Sequence, residues 1–123
     1  MPKRTSPDEA SSRRRILEIG TGSGDATLKL AATLPADGLL ITMEASAARA
    51  AEARLRFTHA AMSDRIIVIA GEPRRFLYKV RGPFDLIVHN DPDDRDALHD
   101  TLMAMLAPGG VLIRGSKKYS QEI

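Results

Sequence analysis

The chain has 123 residues, of which 43% are hydrophobic, 28% charged and 4% aromatic, with no cysteine and a formal net charge of +2. This length suits one domain around one core, and the composition is too apolar and too evenly charged for general disorder. No apolar run approaches the roughly 18 residues of a membrane span, the N-terminal stretch has no apolar signal segment, and zero cysteines exclude a disulfide scaffold or a thiolate zinc site; the expected location is the cytoplasm.

Residues 1–14 are polar, with two prolines and three serines, and predict a flexible basic arm ahead of a domain at 15–123. Residues 15–19 form a short apolar run ending in glycines, hence a strand. Residues 25–34 place Thr27, Leu30, Ala31 and Leu34 on one helical face. Pro35-Ala36-Asp37-Gly38 is a turn, 39–43 a second strand, and Ser46 a cap for an alanine-rich helix at 47–58. The β-branched run at 66–70 predicts a buried strand. Pro73 opens a short helix carrying Phe76 and Leu77, which Gly82-Pro83 ends. Residues 84–89 form a fourth strand, and 94–106 a helix with Leu98, Leu102, Met105 and Leu106 on one face. Pro108-Gly109-Gly110 is a tight turn before a fifth strand at 111–113. Strict alternation of strand and helix predicts a Rossmann-like, doubly wound parallel sheet of five strands in the order 3-2-1-4-5.

Charge is unevenly placed. Residues 1–15 hold five basic and two acidic side chains, 90–100 hold five aspartates and one arginine, and 114–123 hold three basic groups and one acid. A nucleic-acid face needs a continuous basic stripe with stacking aromatics. Three Phe, two Tyr and no Trp do not supply one, so solvated tails are the simpler reading.

Ligands of such folds bind at the carboxyl ends of the strands, where the strand order reverses. Strand one ends there in Glu18-Ile19-Gly20-Thr21-Gly22-Ser23-Gly24. Three alternate glycines permit a sharp turn and close approach of a ligand to the backbone. The spacing is G-x-G-x-G, not the dinucleotide G-x-G-x-x-G, and no phosphate-binding P-loop is present. Asp25 and Glu18 would repel a phosphate, so a cationic ligand suits the loop better. Glu44 ends strand two, where an acid can accept the hydroxyls of a ribose. Gly71-Glu72 ends strand three and borders the position of a base.

The stretches ILEIGTGSGDATLKLA, ITMEAS, DRIIVIAGEPRRFL, GPFDLIVHND and LAPGGVLI resemble the class I S-adenosylmethionine-dependent methyltransferases. Within them the chain is most similar to the small-molecule O-methyltransferases of the catechol and caffeoyl-CoA type. The resemblance covers about residues 15–114 and implies a minimal class I core. It implies S-adenosylmethionine as cofactor and S-adenosylhomocysteine as product. It places Glu18, Gly20, Gly22 and Gly24, with the intervening Thr21, around the methionine moiety and ribose. Glu44 and the adjacent Ala45 fall at the ribose, Gly71 and Glu72 near the adenine, and Asn90 beside the reactive methyl.

The pattern departs from that group at its metal site. The Asp that ends strand four in the group matches Asn90, the Asp-Asn pair after strand five matches Gly115-Ser116, and the proposed lysine base matches Asp93. The aspartates at 91, 93, 94 and 96 read as a solvated helix start, so no metal is expected. Catalytic candidates are then Asn90, Asp91 and His89. Asn90-Asp91-Pro92-Asp93 only loosely resembles the N/D-P-P-aromatic motif of nucleic-acid amino methyltransferases, because it lacks the second proline and the aromatic.

The expected function is methyl transfer to a small-molecule O- or N-acceptor without the group's metal. The alternatives are a non-catalytic module or subunit that holds the cofactor or its product, and an RNA methyltransferase. A dehydrogenase fragment fits the glycine spacing poorly. Few residues flank the core, which makes strand five an edge and predicts a homodimer, or a partner chain, over that edge or over the cofactor cleft.

Overall fold

In a computed structural model of the chain, the structure describes residues 14–90 and 95–120. Its strands are β1 (Arg15–Ile19), β2 (Leu39–Glu44), β3 (Ile66–Ala70), β4 (Phe84–His89), β5 (Leu106–Arg114) and β6 (Lys117–Ser120). Its helices are α1 (Asp25–Ala31), α2 (Ala47–His59), α3 (Pro73–Phe76), which runs on into a 3-10 turn at Leu77–Lys79, and α4 (Arg95–Ala104). The strands form one sheet in the order β3-β2-β1-β4-β5-β6. The first five are parallel and β6 runs antiparallel to β5.

Side-chain alternation along each strand builds two cores. Ile16, Leu40 and Ile66 point to one face, where Ala31, Leu34, Ala53 and Phe57 cover them. Leu17, Ile19, Ile41, Met43, Ile87 and Leu112 point to the other, under Leu77, Val80, Leu98 and Leu102. Ser46 caps α2 by accepting the Arg49 amide at 3.2 Å, and Pro73 opens α3, where its missing N–H leaves no bond unmade.

Four expectations are corrected. The sheet has six strands, not five, and strand five is not an edge. Gly115, at φ 60°, heads a two-residue turn that folds Lys117–Ser120 back on β5, pairing Arg114 with Lys117. The fifth strand is also longer than 111–113: Pro108-Gly109-Gly110 is not a terminal turn but an irregularity within β5, which pairs Leu106 with Phe84 before it and Val111 with Leu86 after it. The run at 66–70 is an edge strand that is only partly buried, with Ile67 47% exposed, because the β3–β4 connection carries too short a helix to cover it. Finally, α1 stops at Ala31 and α4 spans Arg95–Ala104, both shorter than their apolar spacing suggested. Leu34 and Leu106 still pack into the core from just beyond those ends.

Candidate functional site

The carboxyl ends of β1, β2 and β4 are tied together by the backbone. The amides of Gly20 and Thr21 donate to the Met43 carbonyl at 2.9 and 3.2 Å, the Asn90 amide to the Ile19 carbonyl at 2.9 Å, and the Gly71 amide to the Glu44 carbonyl at 2.8 Å. The glycine loop therefore leaves β1 at a fixed angle and enters α1 through Gly24, whose φ is 90°. A Cβ on Gly24 would stand 3.1 Å from the Phe57 ring, so α2 packs directly on the loop. Arg56 of α2 also pairs with Asp25 at the start of α1.

Beneath the loop lies a buried polar chain. Thr42 Oγ1 donates to Glu18 Oε1 at 2.7 Å, and Thr27 Oγ1 donates to the same oxygen. The Thr42 hydroxyl proton is thereby used, so in the 2.6 Å contact between Thr21 and Thr42 it is Thr21 that donates. Glu18, Thr27 and Thr42 are fully buried and Thr21 is nearly so. Glu18 Oε2 has no hydrogen-bond partner among the described residues. Burial pushes the Glu18 carboxyl above its usual range, and the hydrogen bonds from Thr27 and Thr42 oppose that shift.

Above the loop opens a cleft of about 300 Å³, lined by Ile19, Gly20, Gly22, Met43, Glu44, Ala45, Arg49, Pro73 and Asn90. Glu44 is its best-defined polar group. One carboxylate oxygen accepts the Gly22 amide and the other the Ser46 amide, each at 3.0 Å. A carboxylate oxygen accepts more than one hydrogen bond, so both retain capacity for hydroxyl donors. Gly22 sits at φ 57° with nothing within 4 Å of where a Cβ would be; the loop is open to a ligand there and closed by Phe57 at Gly24. Asn90 closes the far side, its Nδ2 donating to the Gly20 carbonyl at 3.3 Å.

Of the residues singled out in the sequence, Gly20, Gly22, Glu44, Ala45 and Asn90 line this cleft. Glu18, Thr21 and Gly24 lie beneath or beside its floor. Gly71 packs on Phe76, and Glu72 is exposed just before Pro73. His89 is 2% exposed and does not line the cleft. Asp91 lies outside the described residues. Arg49, Pro73, Met43 and Ile19 line the cleft without having been singled out. For Arg49 a signal existed: three residues beyond the Ser46 cap, it falls on the first turn of α2, at the same end of the sheet as Glu44. Among the described residues, no three His, Asp or Glu are grouped to hold a metal.

An acidic strand-two end, an open glycine loop and an enclosed polar floor meet at the carboxyl edge of a Rossmann-like sheet. The model of the O-methyltransferase family matches residues 9–116, and the chain belongs to that family, whose members are S-adenosylmethionine-dependent methyltransferases. The chain is 33% identical over 109 residues to a carboxy-S-adenosyl-L-methionine synthase of Chromohalobacter salexigens, a match that covers 83% of this chain and 39% of that protein. It is 32% identical over 101 residues to a catechol O-methyltransferase of Mycobacterium tuberculosis, covering 81% of this chain and 46% of the other. The crystal structure of an O-methyltransferase from Bacillus cereus with S-adenosylhomocysteine superposes with a TM-score of 0.76 at 30% identity, over 90% of this chain and 57% of that one. The chain thus spans about half the length of these relatives. S-adenosylmethionine is the cofactor of that family, and the residues present fit a ligand of this kind: Glu44 keeps acceptor capacity for hydroxyl donors, and Gly22 leaves room for a ligand against the backbone.

Proposed function

We propose that this chain carries out S-adenosylmethionine-dependent methyl transfer to an O- or N-atom of a small molecule, without a catalytic metal. The observation that carries the reading is the Glu44 carboxylate, fixed by the Gly22 and Ser46 amides at the mouth of a cleft that Gly22 leaves open. When bound, the cofactor supplies an electrophilic methyl on a sulfonium. The chain's own residues then position: Glu44 accepts the ribose hydroxyls, the glycine loop lets the ligand approach the backbone, and Asn90 borders the methyl at the end of β4. Holding donor and acceptor in near-attack geometry supplies much of the acceleration of an in-line displacement. A metal-free reaction is supported by residue type, since Gly115 has no side-chain donor and Asn90 and Ser116 carry no charge.

One observation favours a second reading, a cofactor-holding module without catalysis. Glu44 and Arg49 are the only titratable side chains that line the cleft among the described residues, and Glu44 is committed to binding, so among those residues no proton acceptor stands there for a poorly ionised hydroxyl. Calorimetry with S-adenosylhomocysteine, S-adenosylmethionine and NAD, followed by a methyl-transfer assay over an acceptor panel, separates the readings. Tight adenosyl binding with turnover on a small acceptor supports the first. Binding without turnover on any acceptor supports the second, and preference for NAD overturns both. A second copy or a partner chain over the cleft completes the proposal, and light scattering with and without cofactor tests it. Among the described residues no helix is long and apolar enough to cross a membrane.

A further inference from the structure

Glu18 is fully buried at the carboxyl end of β1, just before Ile19 and Gly20 of the cleft lining. Its Oε1 accepts the hydroxyls of Thr27 and Thr42, and Thr21 of the glycine loop donates to Thr42 in turn. Its Oε2 has no hydrogen-bond partner among the described residues. A glutamine would accept the same two hydroxyls without a charge to bury. A buried carboxylate with no cation beside it is costly, and burial here raises the carboxyl above its usual range.

No neighbouring charge among the described residues contributes to that shift. On β2, Thr42 lies opposite Glu18 in register, and Glu44 ends the strand beyond it with its carboxylate on the Gly22 and Ser46 amides. On β4, Val88 lies opposite, while His89 pairs with Ile19 and falls on the other face of the sheet. On α1, Thr27 faces Glu18, whereas Asp25 and Lys29 are exposed. Helix α2 packs on this face through Ala53 and Phe57, and its Arg56 is turned out to Asp25. Arg49 and Glu44, of opposite sign, are the charged side chains of the cleft lining. A carboxyl held in this way ionises when a cation arrives nearby. The inference rests on the cofactor reading above: S-adenosylmethionine brings a sulfonium, and methyl transfer turns it into the neutral thioether of S-adenosylhomocysteine. We propose that Glu18 is a positioning residue that distinguishes these two ligands by charge, from beneath the glycine loop and through the Thr21–Thr42 chain. It gives up its proton to solvent when the sulfonium binds and takes one back from solvent once the methyl has gone. Only the carboxyl O–H bond breaks and re-forms in this exchange. The ionised form favours S-adenosylmethionine over the product, which helps the product leave.

The test uses the full chain and calorimetry of both ligands in buffers of different ionisation enthalpy, which counts the protons released on binding. It runs between about pH 4.5 and 6.5, where the α-amino groups of both ligands stay protonated. The parent should release more protons with S-adenosylmethionine than with S-adenosylhomocysteine. Release on binding means that affinity grows with pH, so the ratio of the two affinities should rise roughly two- to tenfold per pH unit, ten being the limit for one proton. Glu18→Gln should erase the difference in proton count and flatten the ratio. Thr27→Val removes a hydroxyl that favours the charged carboxyl, so the window in which the counts differ should move to higher pH. A carboxyl that merely fastened α1 to the sheet would alter stability in these variants and give the parent equal counts for the two ligands. Equal counts in the parent would therefore overturn the proposal while leaving the cofactor reading intact, and so would a difference that persists in Glu18→Gln. Failure of both adenosyl ligands to bind would overturn the cofactor reading and the proposal with it.

Discussion

The two halves of the sheet's carboxyl edge are built differently. On the β1–β2 side the polar groups form a chain: Thr21 donates to Thr42, Thr42 and Thr27 donate to Glu18, and Glu44 holds the Gly22 amide. On the β4–β5 side, Asn90 is exposed, His89 is turned into the core, and the strand connection is a two-residue turn at Gly115-Ser116. The first half is preorganised for a ligand of one shape. Among the described residues the second brings one polar side chain, Asn90, to the cleft, so in the proposed function affinity for the cofactor and choice of acceptor reside in different parts of the molecule.

The comparison breaks first at Glu44. Glu44→Ala removes the anchor of the Gly22 amide and, in the proposed function, an acceptor for the ribose. Hydrogen bonds to a charged group are worth about 1.5–3 kcal/mol, so affinity for S-adenosylhomocysteine should fall roughly 10- to 100-fold by calorimetry. Asn90→Ala, on the other half, should change that affinity by no more than about threefold. If the two variants lose affinity equally, the asymmetry between the halves is wrong.

The glycines sharpen the same contrast within the first half. Gly24→Ala forces a Cβ against Phe57 at a φ of 90°, and should destabilise the fold by about 1–3 kcal/mol, visible in denaturant unfolding. Gly22→Ala meets open space, so its cost is only the left-handed backbone, about 1–2 kcal/mol. Its added methyl lies in the ligand's approach, so its larger effect should be on cofactor affinity. Stability and binding should thus respond in opposite order at two glycines two residues apart.

Much of this arrangement was legible in the sequence. The bounds of β1, β3 and β4 follow from short apolar runs stopped by glycine or proline, and strict alternation dictated the parallel order. What was missed has physical reasons. Lys-Lys-Tyr-Ser shows no apolar alternation, because β6 borders solvent and takes its hydrogen bonds from β5 rather than from burial. The β-branched run of β3 reads as buried, yet its exposure is decided by the length of the following helix. The family resemblance puts Glu18 around the cofactor, and strand parity turns its carboxyl beneath the loop toward Thr27 and Thr42. Parity likewise turns His89 into the α4 side of the sheet, beside Arg114 in register. Of the cleft residues missed, Arg49 and Pro73 come from helix starts that only the fold brings to the strand ends, and Ile19 and Met43 end β1 and β2.

Glu18 gives a pH-dependent version of the comparison. Burial raises its carboxyl above the usual range in the folded chain, so the folded state holds the proton more tightly than the unfolded state. The stability it contributes is full below about pH 4.5, where both states are protonated, and is lost as pH rises through the folded-state value. In ligand-free protein, parent stability relative to Glu18→Gln should therefore decline from acid to neutral pH. The variant cannot ionise and lacks that component of the slope. Denaturant midpoints at several pH values measure it, and a parent-minus-variant difference that does not vary with pH would show that Glu18 is ordinary in the fold.

The smallest effect belongs to the second half. Gly115 lies at φ 60° with nothing within 4 Å of a Cβ, so its role in the β5–β6 hairpin is conformational rather than steric. Asparagine visits the left-handed region readily, whereas a β-branched residue does not. Gly115→Asn should therefore lower stability by less than about 1 kcal/mol, and Gly115→Val by about 1–2 kcal/mol, with cofactor affinity unchanged in both because the turn lies outside the cleft lining. A loss of S-adenosylhomocysteine affinity in Gly115→Asn would show that the β5–β6 turn reaches the cofactor after all, and the division of the edge into a binding half and an acceptor half would have to be redrawn.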